Sequence, residues 1–200
     1  MTLTRLLLAA ATLTIAGCAS DKPPSNSTYD LGPALTSGSP AASNGGAVVV
    51  TDVTGSAALD NERMSYRLNY ADPLQARHYA NSRWSATPLQ MLTQRLKTRI
   101  AQSGTKVLSA TDASGGVPIL RAEVDDFSHS FDGAAQSHGL LALRVSLFQG
   151  HKLIDQKTFS RKSGAASADA AGGARALAAA ADGVAADIVA WLATQPTRAQ

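Results

Sequence analysis

The sequence predicts one α/β domain, a mixed β-sheet flanked by helices, that follows an export signal and a flexible tether. Two amphipathic helical patterns, with strand-like patterns before and between them, support this prediction. About 150 residues remain beyond the N-terminal segments, which is the usual size of a single domain. We therefore expect a signal at residues 1–17, a tether at residues 18–46 and the domain at residues 47–195.

The first eighteen residues have the pattern of a lipoprotein signal. Arg5 precedes an apolar run over residues 6–15, about ten residues long against the roughly 20 that a transmembrane helix needs. Small residues, Ala16 and Gly17, then precede Cys18 in a lipobox pattern. The sequence therefore predicts that Cys18 is acylated, with palmitate among its chains, and becomes the first residue of the mature protein.

The segment after Cys18 predicts a tether at the outer membrane. Residues 19–46 are rich in Ser, Pro, Asn and Gly, a composition that buries too little apolar surface to fold alone. The step at residues 29–32 is the one expected exception, a short stretch that docks on the domain. Ala19 favours the outer over the inner membrane, so we expect a lipid-anchored domain that faces the periplasm.

Charge and cysteine content exclude some classes of protein. Cys18 is the single cysteine, so the fold cannot rest on an intramolecular disulfide. Loss of Arg5 with the signal lowers the formal charge from +3 to +2, and no run of five like charges exists. Nucleic acid is therefore not an expected partner, because binding it requires a concentrated basic patch.

The first half of the domain predicts strands and one helix. A β-branched run at residues 47–53 and the segment Met64–Tyr70 are typical of strands. Thr87 predicts a helix N-cap, with Pro88 at the first helical position, and Gly104 predicts the end of that helix. Its apolar stripe is formed by Leu89, Leu92, Leu96 and Ile100. The polar positions of this helix are expected largely outside that stripe: Gln94, Arg95, Lys97 and Thr98.

The second half predicts an antiparallel meander and a final helix. Alternating residues at 120–125 and 141–147 indicate strands, and Gln149–Lys152 indicates a tight turn into a strand at 153–159. Residues 128–137 are expected to form a turn or loop, and residues 163–173 a spacer. The final helix has an apolar stripe of Leu177, Ala181, Val184, Ile188 and Trp191.

Patterns typical of catalysis are missing from the sequence. It contains neither a phosphate-binding G-x-x-x-x-G-K-[ST] loop nor a G-x-S-x-G nucleophile motif. No two of the four histidines have helical i, i+4 spacing, so we predict no metal, no cofactor and no enzyme. Asp125 and Asp126 point to opposite faces of a strand and cannot act as an acid pair. One alternative stays open: His129 and His138 approach across a hairpin and serve a periplasmic hydrolase.

One segment, residues 63–84, is unusually rich in aromatic residues and arginine, the types enriched in protein interfaces. Tyr66 and Tyr70 are expected in the core, on one face of a strand. The predicted partner-binding surface consists of Arg63, Arg67, Arg77, Tyr79, Arg83 and Trp84. For Arg77, Tyr79, Arg83 and Trp84 a structural role in the domain is an equally open alternative.

The same segment resembles a known family, the ABC-type transport auxiliary lipoproteins. The resemblance spans most of Cys18–Ile100. It is carried by Leu59–Leu68, Tyr70–Pro73, Tyr79–Trp84 and the helix start at Thr87–Leu92, together with Cys18 and Tyr29–Leu31.

The resemblance implies a periplasmic accessory to a lipid transporter of the mammalian-cell-entry type. Its implied partners are the substrate-binding, permease and ATPase subunits of that transporter, with a phospholipid or sterol-like lipid as cargo and a possible homo-oligomer. The family implies no catalytic residues. A lipid-binding carrier, in which the domain itself holds the lipid, is the main alternative to a docking subunit.

Overall fold

The computed structural model describes residues 26–34, 46–112 and 115–195. The predicted signal, Cys18 and much of the predicted tether lie outside the described residues. Within them the structure is the predicted single α/β domain with a large mixed sheet and two α-helices.

Nine strands form one sheet. In chain order they are β1 (Ser27–Tyr29), β2 (Ala47–Val50), β3 (Thr54–Gly55), β4 (Arg63–Leu68), β5 (Asp72–Trp84), β6 (Lys106–Leu108), β7 (Ile119–Gly133), β8 (Gln136–Gln149) and β9 (Lys152–Gly164). The helices are α1 (Pro88–Gln102), between β5 and β6, and α2 (Ala170–Ala193), after β9.

The long strand β7 organises the sheet, because it is paired along both edges. One edge pairs antiparallel with β8, which in turn pairs antiparallel with β9. The other edge is shared: β2 and β3 pair parallel with the first half of β7, and β4 pairs parallel with its second half. Beyond β4 the sheet continues through antiparallel β5 to the parallel edge strand β1, and beyond β2 to β6.

Both helices contribute to the core with one face of the sheet. Alternate residues of β7 and β8, such as Leu120, Val124 and Leu143, are buried with the apolar stripes of the helices. The intervening residues Arg121 and Glu123 are exposed, so the opposite face of the sheet is largely polar. This alternation is the pattern of a sheet that is covered on one side.

Helix α1 begins as predicted. The Thr87 side chain accepts a hydrogen bond from the Gln90 backbone amide, the Gln90 side chain accepts one from the Thr87 amide, and Pro88 occupies the first turn. The stripe residues Leu92, Leu96 and Ile100 are each at most 1 % exposed. Arg95, expected among the polar positions of α1, is 4 % exposed and lies in the interior.

Two boundaries differ from expectation in the second half. Residues 128–133, expected in a turn or loop, are the last residues of β7, and the turn is confined to residues 134–135. The predicted spacer at 163–173 is shorter, because Asp169 caps α2 and accepts a hydrogen bond from the Gly172 amide at 2.7 Å. Small residues that resemble a linker in sequence here serve close packing instead.

Helix α2 is long and apolar enough to cross a membrane, with a mean hydropathy of 1.6 over its most apolar window. More than half of that window is buried inside the domain, and the stripe residues Leu177, Val184 and Ile188 are at most 1 % exposed. We therefore interpret α2 as the central core helix.

The step at residues 29–32 docks on the domain, as expected. Ser27 and Tyr29 pair with Ser82 and Trp84 at the outer edge of β5, and Leu31 is buried. The guanidinium of Arg95 donates hydrogen bonds to the carbonyl oxygens of Leu31 and Gly32, the latter at 2.7 Å.

Candidate docking surface

The antiparallel strands β4 and β5 form a ribbon that carries all four arginines of the predicted partner-binding surface. Arg63 and Arg83 are exposed and lie directly opposite one another across the two strands. Arg67 and Arg77 are half-buried and lie nearer the turn of the ribbon. There Arg67 donates to the Pro73 carbonyl at 3.3 Å, and Arg77 donates twice to the Gln75 side chain at 2.6 and 2.8 Å.

Arg63 and Arg83 form an unusual pair, because like charges directly opposite on neighbouring strands repel each other. Within the described part of the chain neither guanidinium has an ion-pair partner within 4.0 Å. Both line an open groove of about 540 Å³ together with Glu62, His78 and Asn81. An anionic group in this groove would relieve the repulsion between the two arginines.

Trp84 does not belong to this surface, so that part of the prediction is wrong. Its side chain is 1 % exposed and its ring centroid lies 5.6 Å from that of Phe127 in the core. The expectation that Tyr70 lies in the core is also wrong, since Tyr70 is 53 % exposed at the β4–β5 turn. Tyr66 is half-buried and packs against Tyr79, with ring centroids 4.6 Å apart.

Tyr79 reaches from the groove into the interior. Its hydroxyl and Nδ1 of His129 share a hydrogen bond of 2.8 Å. Burial, followed by the neighbouring Tyr66, raises the pKa of Tyr79 above its ordinary value, so the phenol stays neutral. Tyr79 therefore both lines the groove and fixes the orientation of a buried histidine.

His129 is fully buried against α2. Burial, followed by the charge of His138, lowers the pKa of His129 from 6.5 to about 4, so its imidazole is neutral near pH 7. Its Nε2 atom is buried and has no hydrogen-bond partner among the described residues. The neutral ring stacks on Tyr79 and contacts Phe131, with ring centroids 6.2 and 4.5 Å away, so its main role is packing in the core.

The two histidines of the hydrolase alternative do not share a site. His129 pairs with Gly139 on the helix-facing side of the sheet, whereas His138 pairs with Ser130, the next position along, on the other side. Nδ1 of His138 instead lies 3.1 Å from the Asp132 carboxylate, which also binds Lys162 at 2.9 Å. The geometry therefore does not support joint catalysis by these histidines. Among the described residues, no group of three or more His, Cys, Asp or Glu side chains could hold a metal ion.

Asp125 and Asp126 lie at a β-bulge of β7, where the register with β8 shifts. Arg144 on β8 bridges the carboxylates of Glu123 and Asp125 at 3.1 and 3.2 Å. These half-exposed ion pairs on the open face are typical of a solvated sheet surface.

Two features of the ribbon and its surroundings had no clear signal in the sequence. In the sequence, Arg95 occupies a polar position of an amphipathic helix. Its buried ion-pair partner Asp182, at 3.1 Å, lies 87 residues later in the chain, so no local pattern indicates it. Leu74 is 89 % exposed because residues 73–75 bulge out of β5, a register shift that local sequence does not predict.

Comparisons with known proteins agree on the fold. A crystal structure of a Xanthomonas campestris protein of the DUF330 family has a TM-score of 0.73 at 19 % identity, covering 83 % of this chain and 94 % of that one. A second crystal structure, of an uncharacterised protein, has a TM-score of 0.67 at 16 % identity and covers 84 % and 99 % of the two chains. A hypothetical protein from Chlamydia trachomatis has a TM-score of 0.51 at 12 % identity, with coverage of 74 % and 96 %.

No curated protein matches the chain significantly. A family model does match, that of the ABC-type transport auxiliary lipoprotein component, over residues 29–189. The match extends well past the segment that carries the sequence resemblance and includes α1, the whole meander and most of α2. The chain therefore belongs to the family of ABC-type transport auxiliary lipoprotein components.

Proposed function

We propose that the protein is a non-enzymatic docking subunit of a lipid transporter of the mammalian-cell-entry type. In this proposal acylated Cys18 anchors the domain to the outer membrane, facing the periplasm, and the β4–β5 ribbon binds a substrate-carrying subunit of the transporter. Membership of the transport auxiliary family supports the role as an accessory.

The observation that carries the docking proposal is the unpaired arginine pair. Arg63 and Arg83 face each other across β4 and β5 without a carboxylate partner in the described residues, beside an open groove. Aligned guanidinium groups bind carboxylates in a forked, bidentate geometry. We therefore expect an acidic segment of the transporter subunit to contact these arginines, while Trp84 serves only the core.

Membrane anchoring would make a weak contact sufficient. Two acyl chains hold a protein stably on a bilayer, and confinement near a second membrane-bound component raises the effective concentration of each for the other. A modest charged interface can then support function without a large buried area.

The lipid-carrier alternative receives less support from the described residues. A carrier requires a largely apolar cavity that encloses its ligand. The groove at Arg63 and a second groove of about 520 Å³ beside the start of α1 are both open to solvent, so neither would enclose a lipid.

Charge reversal tests the docking surface. In detergent-solubilised membranes, Arg63→Glu with Arg83→Glu is expected to reduce co-purification of transporter subunits at least tenfold, because two attractive contacts become repulsive. The matched control is Lys106→Glu with Lys152→Glu, which changes the net charge equally at exposed sites outside the ribbon. Equal recovery with both double variants would remove the ribbon as the docking surface.

A further inference from the structure

The turn of the β4–β5 ribbon exposes apolar side chains. We define the hairpin tip as residues 69–75, which contain Tyr70 at 53 % and Leu74 at 89 % exposure. Only one other large apolar side chain among the described residues, Leu153, has comparable exposure. Isolated exposed leucines are ordinary, but an exposed tyrosine and leucine on one projecting turn form a distinct amphipathic feature.

Hydrogen bonds hold the hairpin tip in its shape. The Leu74 amide donates to the Asp72 carboxylate at 2.9 Å, and the Ala71 amide donates to the Leu68 carbonyl at 2.9 Å. At its base, the Asn69 amide donates to the Phe131 carbonyl of β7 at 2.9 Å. The turn therefore presents Leu74 to solvent in a fixed conformation and does not fold it back onto the sheet.

The N-terminal segment approaches the domain from the side of the hairpin tip. Strand β1 is parallel to β5, and Ser27 pairs with Ser82, so the chain enters β1 from the direction in which β5 begins. Strand β5 begins at Asp72, within the hairpin tip. Asn26, the first described residue, therefore lies on the tip side of Ser27.

The N-terminal segment is long enough to reach the hairpin tip. Thr28, Arg83 and Arg63 form one row across the three strands, and Leu68 pairs with Asp72 at the tip. From Arg63 to Leu68 the chain of β4 advances five residues, which places the two rows about 17 Å apart at about 3.3 Å per residue. Nine residues separate Cys18 from Ser27, which span at most about 30 Å. This upper limit exceeds the distance from Ser27 to the tip, so Cys18 can reach the level of the hairpin tip.

We propose that the hairpin tip is a membrane-contact element whose Tyr70 and Leu74 enter the headgroup region of the bilayer that holds the acylated N-terminus. The proposal rests on the proposed function only in requiring Cys18 to be the anchor. It sets the orientation of the domain: the hairpin tip meets the bilayer, and the Arg63–Arg83 row lies about 17 Å above the tip, open to a partner.

Site-specific labelling of the acylated, full-length protein tests this contact. Because acylation blocks Cys18, a cysteine introduced by Leu74→Cys carries the only free thiol and can be labelled with the environment-sensitive fluorophore NBD. The matched control is Leu153→Cys, another exposed leucine, which follows the β8–β9 turn at the opposite end of the sheet. Both labelled proteins are reconstituted into phosphatidylethanolamine–phosphatidylglycerol vesicles, with and without brominated lipid.

We expect the label at position 74 to shift to shorter wavelength on vesicles and to lose at least half of its emission to brominated lipid, while the label at position 153 changes in neither respect. If vesicle-bound protein shows two water-exposed labels, the membrane contact is refuted and the docking proposal is unaffected. A label at position 74 that is shielded but not quenched by brominated lipid indicates a protein partner or a second copy, which also refutes it. Failure of the protein to float with vesicles refutes the anchor and the contact together.

Discussion

At the scale of single residues, His129 shows how a titratable group serves the core. Its ring packs 4.5 Å from Phe131 and shares a hydrogen bond with Tyr79, while Gly173 of α2 leaves room for it. The neutral form is stabilised because burial in the core disfavours the imidazolium ion. The folded state therefore binds a proton at this site less readily than the unfolded chain does.

This difference predicts a pH dependence of stability. The pKa of His129 is about 4 in the folded protein and 6.5 when unperturbed, so its contribution is fully present above pH 6.5 and is lost as the pH falls towards 4. The expected loss of unfolding free energy is about 3 kcal/mol at most. Urea unfolding at about pH 7.5 and about pH 4.5 measures it.

Two histidine variants separate this effect from general acid sensitivity. His129→Gln should flatten the decline between the two pH values, whereas His151→Gln, at an exposed turn, should retain it. The pKa of His138 is also lowered, mainly by burial, so a smaller slope in the same direction should remain in His129→Gln. An unchanged slope in His129→Gln would contradict the assignment.

At the scale of elements, close approach of α2 to the sheet depends on glycine. A Cβ at Gly139 of β8 would lie 2.6 Å from the Leu177 amide nitrogen, and one at Gly173 would lie 2.3 Å from Nδ1 of His129. These positions leave no space for a methyl group. Gly183, on the same helix, is different: its nearest contact is Cγ of the half-exposed Arg161 side chain at 3.3 Å, and no backbone atom lies as close.

We therefore predict opposite effects for two glycine substitutions in one helix. Gly173→Ala should destabilise the domain by about 1–3 kcal/mol through overpacking against His129. Gly183→Ala should stabilise it by up to about 1 kcal/mol, because alanine favours the helix and only the half-exposed Arg161 side chain has to shift, by a few tenths of an ångström. Thermal unfolding of both variants measures the difference, and destabilisation by both would show that the α2–sheet distance is not the cause.

At the scale of the whole molecule, Arg95 links three parts of the chain. It lies on α1, binds Asp182 of α2 at 3.1 Å, and donates to the backbone of residues 31 and 32. Arg95 and Asp182 are both largely shielded from water, with side chains 3 % and 12 % exposed. This buried cluster fixes the N-terminal segment to the helices and, through β1, the point at which the proposed anchor leaves the domain.

Removing Arg95 should destabilise the packing of the N-terminal segment and β1 against the helices. Arg95→Met is expected to cost about 3–5 kcal/mol, because Asp182 loses its closest charged partner in a buried setting. Lys97→Met on the same helix removes only the exposed ion pair with Asp52 and should cost less than about 1 kcal/mol. Chemical unfolding and limited proteolysis near residue 30 measure the two effects. An equal loss of unfolding free energy in the two variants would contradict a stabilising role for the buried cluster around Arg95.

Local sequence predicted those features that depend on neighbours along the chain. The capping box at Thr87 and Gln90 joins groups three residues apart, and the alternation in β7 and β8 follows from the two-residue period of a strand. The glycine turn at Gly150, with φ of 59°, is equally local. The family was also identified from a local segment: the resemblance is limited to Cys18–Ile100, whereas the family model matches residues 29–189.

The candidate site was predicted only in part. Arg63 and Arg83 are exposed, as a surface role requires, but their direct opposition depends on the β4–β5 register, which contains two shifts. Aromatic residues were the least informative about which positions are exposed, because tyrosine and tryptophan occur both in cores and in interfaces. Thus Trp84 proved to be core and Tyr70 proved to be exposed.

By itself the sequence determined the periodicity of the elements, where α1 begins, the fold class and the family. The lipobox at Cys18 remains a prediction from sequence, since it lies outside the described residues. Only the tertiary structure decided which surfaces are covered: Arg95 inside, Leu74 outside, and His129 and His138 on opposite sides of the sheet. The physical reason is that burial depends on elements brought together from distant positions, and a local pattern contains no information about which partner covers a given face.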